Sequence, residues 1–208
     1  MAFDLKEIRR QYFCICEGQQ EEMYLKYLSR LLQTDKRRIT FTIRQGLPGD
    51  IQKQRSIKYD KAVLFDHDGN TVAFRNTLNT CIKNKCSHAY SNRNFDLWLL
   101  LHKQDFSSSV SDNQTYKKDI RNFFNLDAEA DIKSEKVINQ ILNQITLPDI
   151  KDAIQRAQRI REQKIPSDAN RIGSIIYYDN PDLSIHEFII KVFSECNEPL
   201  LTPFTEGV

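Results

Sequence analysis

Two apolar segments, Tyr12-Phe13-Cys14-Ile15-Cys16 and Ala62-Val63-Leu64-Phe65, each stop abruptly at acid and glycine, the first as Glu17-Gly18 and the second as Asp66-His67-Asp68-Gly69. A strand that is apolar at successive positions is buried on both faces, which requires a parallel sheet covered by helices. Sheets of that kind gather ligands outside the carboxyl ends of their strands. Acids that terminate such strands therefore reach a place where they can share a divalent cation. Asp66 and Asp68 stand two apart and project together from an extended segment. Like charges that close repel unless a cation or a proton intervenes. Magnesium suits them, since it is held by a few carboxylates together with water and substrate phosphates. The competing reading of Asp66-His67-Asp68-Gly69-Asn70 is an ordinary polar turn, because Asp, Gly and Asn are turn formers.

Composition bounds the rest. The chain of 208 residues is 40% hydrophobic and 28% charged, with 6 Gly and 6 Pro. That suits one folded domain with a full core, or a domain plus an appendage. A formal charge of +2 excludes the strongly basic balance of a dedicated nucleic-acid-binding domain, so any such contact must be local. Local basic clusters are Lys36-Arg37-Arg38, then Lys53, Arg55 and Lys58, then Lys117, Lys118 and Arg121, then Arg156, Arg159, Arg161 and Lys164. Lys117, Lys118, Arg156 and Arg159 are the candidates for nucleic-acid contact, weighed against solvated helix faces. Five cysteines without pattern indicate a reduced, cytoplasmic protein. Cys81, Cys86 and His88 make a poor zinc set, for no partner pair follows them. No signal sequence is visible and no apolar run approaches ~18 residues, so neither export nor a membrane span is expected.

Along the chain, helical spacing covers Gln20 to Gln33, and Ile39 to Ile43 alternates as a strand. A short helical stretch to about Lys58, a strand at 61–65, a helix from Thr71 to Lys83 and a strand at 88–91 follow. Phe95 to His102, holding the only Trp, is read as helix. Strands alternating with helices imply βαβ units and a largely parallel sheet. Lys103 to Gln114, with Ser107-Ser108-Ser109, reads as a loop. From about 115 onward the pattern is helical: 116–124, 134–145, a helix opened by Pro148, a turn at 177–181, and a last helix at 184–196. The expected organisation is an α/β core over 8–105, a helical C-terminal extension over 115–196 packed on or near it, and a tail over 197–208.

Asp66-His67-Asp68-Gly69 is similar to the nucleophile motif of haloacid-dehalogenase phosphatases, which implies Asp66 as nucleophile and Asp68 as acid and base. That motif normally lies on the first strand of its fold. Here an acid-ended strand precedes it. Glu17 with Asp66 and Asp68 on alternating βαβ units instead resembles the Toprim fold of topoisomerases, primases and related nucleases. A closer resemblance lies in Ser91-Asn92-Arg93-Asn94-Phe95-Asp96-Leu97-Trp98-Leu99-Leu100-Leu101-His102, which is similar to the SNPxFELWLLLH signature of the RloB-like proteins. Cys16-Glu17-Gly18 followed by Glu21 or Glu22, and Asn180-Pro181 before the amphipathic Ile185 to Phe193, match further motifs of that family in order. The sequence departs from the family at Gly69, where a third acid is common, at Asp96 for Glu, and at Arg93 for Pro.

The resemblance implies a Toprim-like, Rossmann-like fold with a mostly parallel sheet and flanking helices. It implies Glu17, Asp66 and Asp68 as catalytic magnesium ligands, manganese being the substitute, with Glu21 or Glu22 supporting. Asp96 would orient a ligand or water. His102 is either a packed histidine or a base, and His67 would point away from its flanking acids along an ideal strand. The implied activity is phosphodiester hydrolysis in RNA, tRNA included, or DNA, as effector of an antiviral defence system. The alternatives are a noncatalytic Toprim module partnering an ATPase, and the phosphatase. No GxxxxGK[ST] loop is present, so an ATPase would be another chain. The helical extension is the candidate for partner or self-association, a homo-oligomer included.

Overall fold

Burial of the two acid-tipped runs side by side sets the architecture. In the computed structural model, which describes residues 7–54, 58–106 and 113–200, they form β1 (Ile8–Cys16) and β3 (Asp60–His67). These are the central strands of a four-stranded sheet ordered β2-β1-β3-β4, with β2 spanning Arg37–Gln45 and β4 Ser87–Asn92. All three pairings are parallel. Strands of one direction need crossovers, and helices supply two of them. The first is α1 (Gln19–Leu32) and the second α2 (Thr71–Asn84), while a 3-10 turn at Pro48–Lys53 lies between β2 and β3. The result is a mixed α/β, Rossmann-like sheet.

The pleat divides each strand between two cores. Tyr12, Cys14, Cys16, Ala62 and Leu64 join α1 residues such as Tyr24, Leu25 and Leu28 on one face. Phe13, Ile15, Val63 and Phe65 join Phe74, Leu78 and Cys81 of α2 on the other. The two crossover helices thus cover opposite faces. Winding reverses between β1 and β3, and a crevice opens at their carboxyl ends.

The apolar run Leu97 to Leu101 forms α3 (Asp96–Leu101), which is wholly buried. Arg55 and Ser107-Ser108-Ser109 lie outside the described residues, as do 201–208 of the expected tail. The extension contributes α4 (Asn113–Phe123), α5 (Glu135–Leu142), α6 (Leu147–Glu162) and α7 (Ile185–Glu195). Thr146 and Asp149 form a reciprocal capping box at the start of α6, satisfying donors that a helix end leaves open. Ile120, Ile138, Ile154 and Phe188 of these helices share one continuous core with Tyr12 and Leu28. The extension is packed on the sheet rather than beside it.

The helical reading holds for most of the segment after 115 but misses a short hairpin. The region after 115 is not all helical, because β5 (Asn170–Ile172) and β6 (Ile175–Tyr177) form an antiparallel hairpin. Gly173 takes φ +56° at its turn, as a two-residue hairpin loop requires. Strands of three residues are too short to register as alternation. Their partner is also remote: Ile172, Ile175 and Tyr177 bury against α2. The turn at 177–181 contains a cis Asn180-Pro181 bond. Beyond it Asp182 accepts from Tyr90 Oη at 2.5 Å and Arg161 Nε at 2.9 Å, and Leu183 bridges Ser91 at the edge of β4. This buried network fastens the extension to the sheet.

His102 belongs to the core. Its Nδ1 donates to the Trp98 carbonyl at 2.8 Å, leaving Nε2 to accept from Tyr24 Oη at 3.1 Å. Burial pushes its pKa down to about 4. His186 and His88 are lowered by burial as well, to about 3 and about 4. A histidine held neutral in the fold contributes stability that is complete above its unfolded value of 6.5 and lost as pH falls toward the folded value. For His102 this amounts to about 3 kcal/mol. Urea unfolding of wild type and His102→Gln should therefore converge in stability between pH 7 and pH 4, the wild type losing more.

Candidate active site

Glu17 stands one residue beyond β1, and its backbone N–H donates to the Leu64 carbonyl of β3 at 3.2 Å. Its carboxylate Oε2 accepts the Asp66 N–H at 3.0 Å. The acid of one central strand is thereby registered on the other. Asp66 follows Ala62 and Leu64 in the pleat and so lies on the α1 side of the sheet. His67 lies on the opposite side, where its ring packs 4.2 Å from Phe74 of α2. Burial lowers its pKa. Asp66 and Asp68 leave the strand together, and Gly69 turns the chain at φ +82°, a conformation open to glycine at little steric cost. Asn70 then caps α2 by accepting the Ala73 N–H at 3.1 Å.

Glu17, Glu21, Asp66 and Asp68 line one pocket of about 410 Å³ with Gly18, Gln19, Gln20 and Lys133. Glu21 is buried on the first turn of α1. A Cβ at position 18 would stand 2.8 Å from Glu21 Oε2, so Gly18 is what lets that carboxylate lie against the strand end. Burial raises the pKa of Asp66 well above the carboxylate range, and Glu21, Asp68 and Glu17 add to the shift while Lys133 opposes it. Burial likewise raises Glu21. Crowded anions in a desolvated place behave so until a cation offsets them.

Of the alternative supporting acids, the structure brings Glu21 into the pocket and Glu22 elsewhere. Glu22 binds Lys26 at 2.5 Å and Gln45 at 2.7 Å on the β2 side, and the Lys26 bond lowers its pKa. Asp96 lies beneath the pocket, fully buried, with Oδ1 accepting from Gln20 Nε2 at 3.2 Å. His102, in the core with Trp98 and Tyr24, is not among the lining residues, which corrects its expected supporting place. Lys117, Lys118, Arg156 and Arg159 do not line the pocket either. Arg156 donates to the Leu101 carbonyl at 2.7 Å, and Arg159 pairs with Asp105 at 2.5 Å. Arg156 thus ties α6 to the end of α3 and Arg159 ties it to the segment that follows, while Lys118 is exposed on α4.

The residue that sequence reasoning missed is Lys133. It lies between α4 and α5, in a stretch without motif or periodicity, yet its ammonium meets the Gln20 side-chain oxygen and stands 3.5 Å from Asp96 Oδ1. Only the docking of the extension makes it a neighbour of the acids.

Among the described residues no group of three or more His, Cys, Asp and Glu side chains stands close enough to hold a metal ion. The donors in the pocket are carboxylate oxygens, the chemistry that hard cations take. Magnesium needs only one or two of them beside water and phosphate, so the residues fit such an ion.

A family model described as RloB-like protein matches residues 12–191. The chain belongs to the RloB-like family. Comparison with curated proteins and with solved structures gives no match. Among the described residues no helix is long and apolar enough to cross a membrane.

Asp66→Asn removes a charge that the fold disfavours. Its melting temperature at pH 7 in chelator is expected to exceed that of wild type, by about 2–4 °C for each 1 kcal/mol relieved. A raised carboxyl favours folding less as pH climbs through its folded pKa, so the gain should shrink on acidification, when Asp66 takes up its own proton. Calorimetric melting of both proteins across pH 7 to 5 checks this.

Proposed function

We propose that the protein is a magnesium-dependent nuclease with a Toprim-type site, hydrolysing phosphodiester bonds in RNA, tRNA included, or in DNA, as a cytoplasmic effector of antiviral defence. The observation that carries this reading is the convergence of Glu17, Glu21, Asp66 and Asp68 on one pocket at the reversal point of a parallel sheet. Its volume of about 410 Å³ falls within the usual range for small-ligand sites. Glu17, Asp66 and Asp68 would hold magnesium or manganese, with Glu21 in support. When bound, the ion polarises the scissile phosphate and makes hydroxide available near neutral pH.

The chain's own residues prepare that role. Burial and the neighbouring acids raise the pKa of Asp66, and a bound cation would offset the same charges. Glu17, aimed by the Asp66 N–H, keeps its second oxygen for a ligand. Gly69 and Asn70 hold Asp68 at the mouth. The defence setting follows from the family resemblance.

A second reading comes from the same family resemblance. It is a noncatalytic module docked on an ATPase supplied by another chain.

Purified protein and Asp66→Ala, incubated with mixed tRNA, single-stranded DNA and duplex DNA in magnesium or manganese, separate the two. Wild type is expected to cut one class only when the metal is present. Asp66→Ala should lose about 100-fold or more with its circular dichroism unchanged. No cleavage, together with no magnesium heat in calorimetry, would move the noncatalytic reading ahead.

A further inference from the structure

We infer that Lys133 is the group that takes a phosphate of the substrate in the acidic pocket, with Gln20 and Asp96 as its positioning residues; the inference rests on the nucleic-acid reading of the same pocket. The starting observation is that Lys133 is the one cationic side chain among the described residues lining it, facing Glu17, Glu21, Asp66 and Asp68. A polyanion entering between carboxylates is repelled unless a fixed cation receives it.

The lysine is held for that purpose. Gln20, itself buried, donates through Nε2 to the Ile132 carbonyl at 3.2 Å and to Asp96 Oδ1 at 3.2 Å. Its amide orientation is thereby fixed, and its oxygen is left to Lys133. Asp96 is 0% exposed, and its Oδ2 has no hydrogen-bond partner. The lysine side chain opposite is 47% exposed. A carboxylate buried this deeply, with one oxygen unmet and a half-solvated partner at 3.5 Å, is a poor device for stability. It is a good one for aiming a charge from the interior toward an opening. An ammonium has three donors. Gln20 and Asp96 engage two, leaving the third for a ligand oxygen in the pocket.

The tie also gives the extension a chemical part. Ile132, whose carbonyl holds Gln20, is in the core, and Asp131 Oδ1 accepts the Lys133 N–H at 3.0 Å. The segment that presents the lysine is fixed from both sides.

The test measures binding of short fluorescent single-stranded RNA and DNA by anisotropy across a salt series, beside cleavage, for wild type, Lys133→Met and Lys133→Arg. Removing one phosphate contact should lower affinity and kcat/KM by about 10- to 100-fold and reduce the slope of log K against log salt by about 1. Lys133→Arg should recover most of both. A merely structural lysine would leave the salt slope unchanged, and that result overturns the inference. If Lys133→Met fails to fold around the orphaned Asp96 charge, Lys133→Met with Asp96→Asn removes that charge and must show the same loss of slope.

Wild type that cuts while Lys133→Met matches it overturns the inference alone. Wild type that binds without cutting, with the slope reduced in Lys133→Met, supports the inference and overturns the nuclease reading. Wild type that does neither overturns both.

Discussion

The structure depends on one crowded arrangement. Two buried parallel strands end next to each other, and both end in acid. Packing alone favours the pairing, since Cys14, Cys16, Ala62 and Leu64 fill one face and Ile15, Val63 and Phe65 the other. Electrostatics opposes it, since buried Glu21 and half-buried Asp66 are drawn together beside exposed Glu17. Core burial, at about 25 cal/mol per Å² of apolar surface, outweighs the repulsion. The repulsion is left stored at the carboxyl edge of the sheet. The Asp66 N–H on Glu17, the room left by Gly18 and the ammonium of Lys133 each relieve part of it.

The helical extension is inseparable from this edge. Its apolar stripes complete the core on the α1 side, its hairpin covers α2, and the Arg161, Asp182 and Tyr90 network seals the outer side of β4. With those contacts made, the link between α4 and α5 lies over Gln20 and Asp96. A division into a catalytic core and an appended module therefore describes the order of the chain better than its chemistry. Two arginines of the basic cluster on α6 serve as rivets of this docking. Arg156 and Arg161 have most of their side chains covered and bind carbonyls or carboxylates inside the protein.

Much of the fold was legible because it rests on local rules. Unbroken apolar runs gave the central strands, helical spacing gave α1, α2, α5 and α6, and alternation in Ile39 to Ile43 gave β2. The hairpin at 170–177 was not legible, for three-residue strands carry no period and their burial depends on α2, distant in sequence. The same division holds at the site. Glu17, Asp66 and Asp68 declare themselves at strand ends. His102 closes a leucine-rich signature that looks functional, yet it is held between Trp98 and Tyr24 in the core. The choice between Glu21 and Glu22 turned on the rotation of α1 against the sheet, which adjacent residues in a helix cannot reveal by spacing alone.

Sequence by itself determined a buried parallel sheet with acids at the ends of its two central strands, because strand burial and the period of two are properties of neighbouring residues. Tertiary structure alone decided which acids share a pocket, which basic residues are spent on internal ties, and that Lys133 faces the carboxylates. Those are relations between segments such as Glu17 to Glu21, Asp66 to Asp68 and Asp131 to Lys133, set by long-range packing that leaves no periodic trace in the chain.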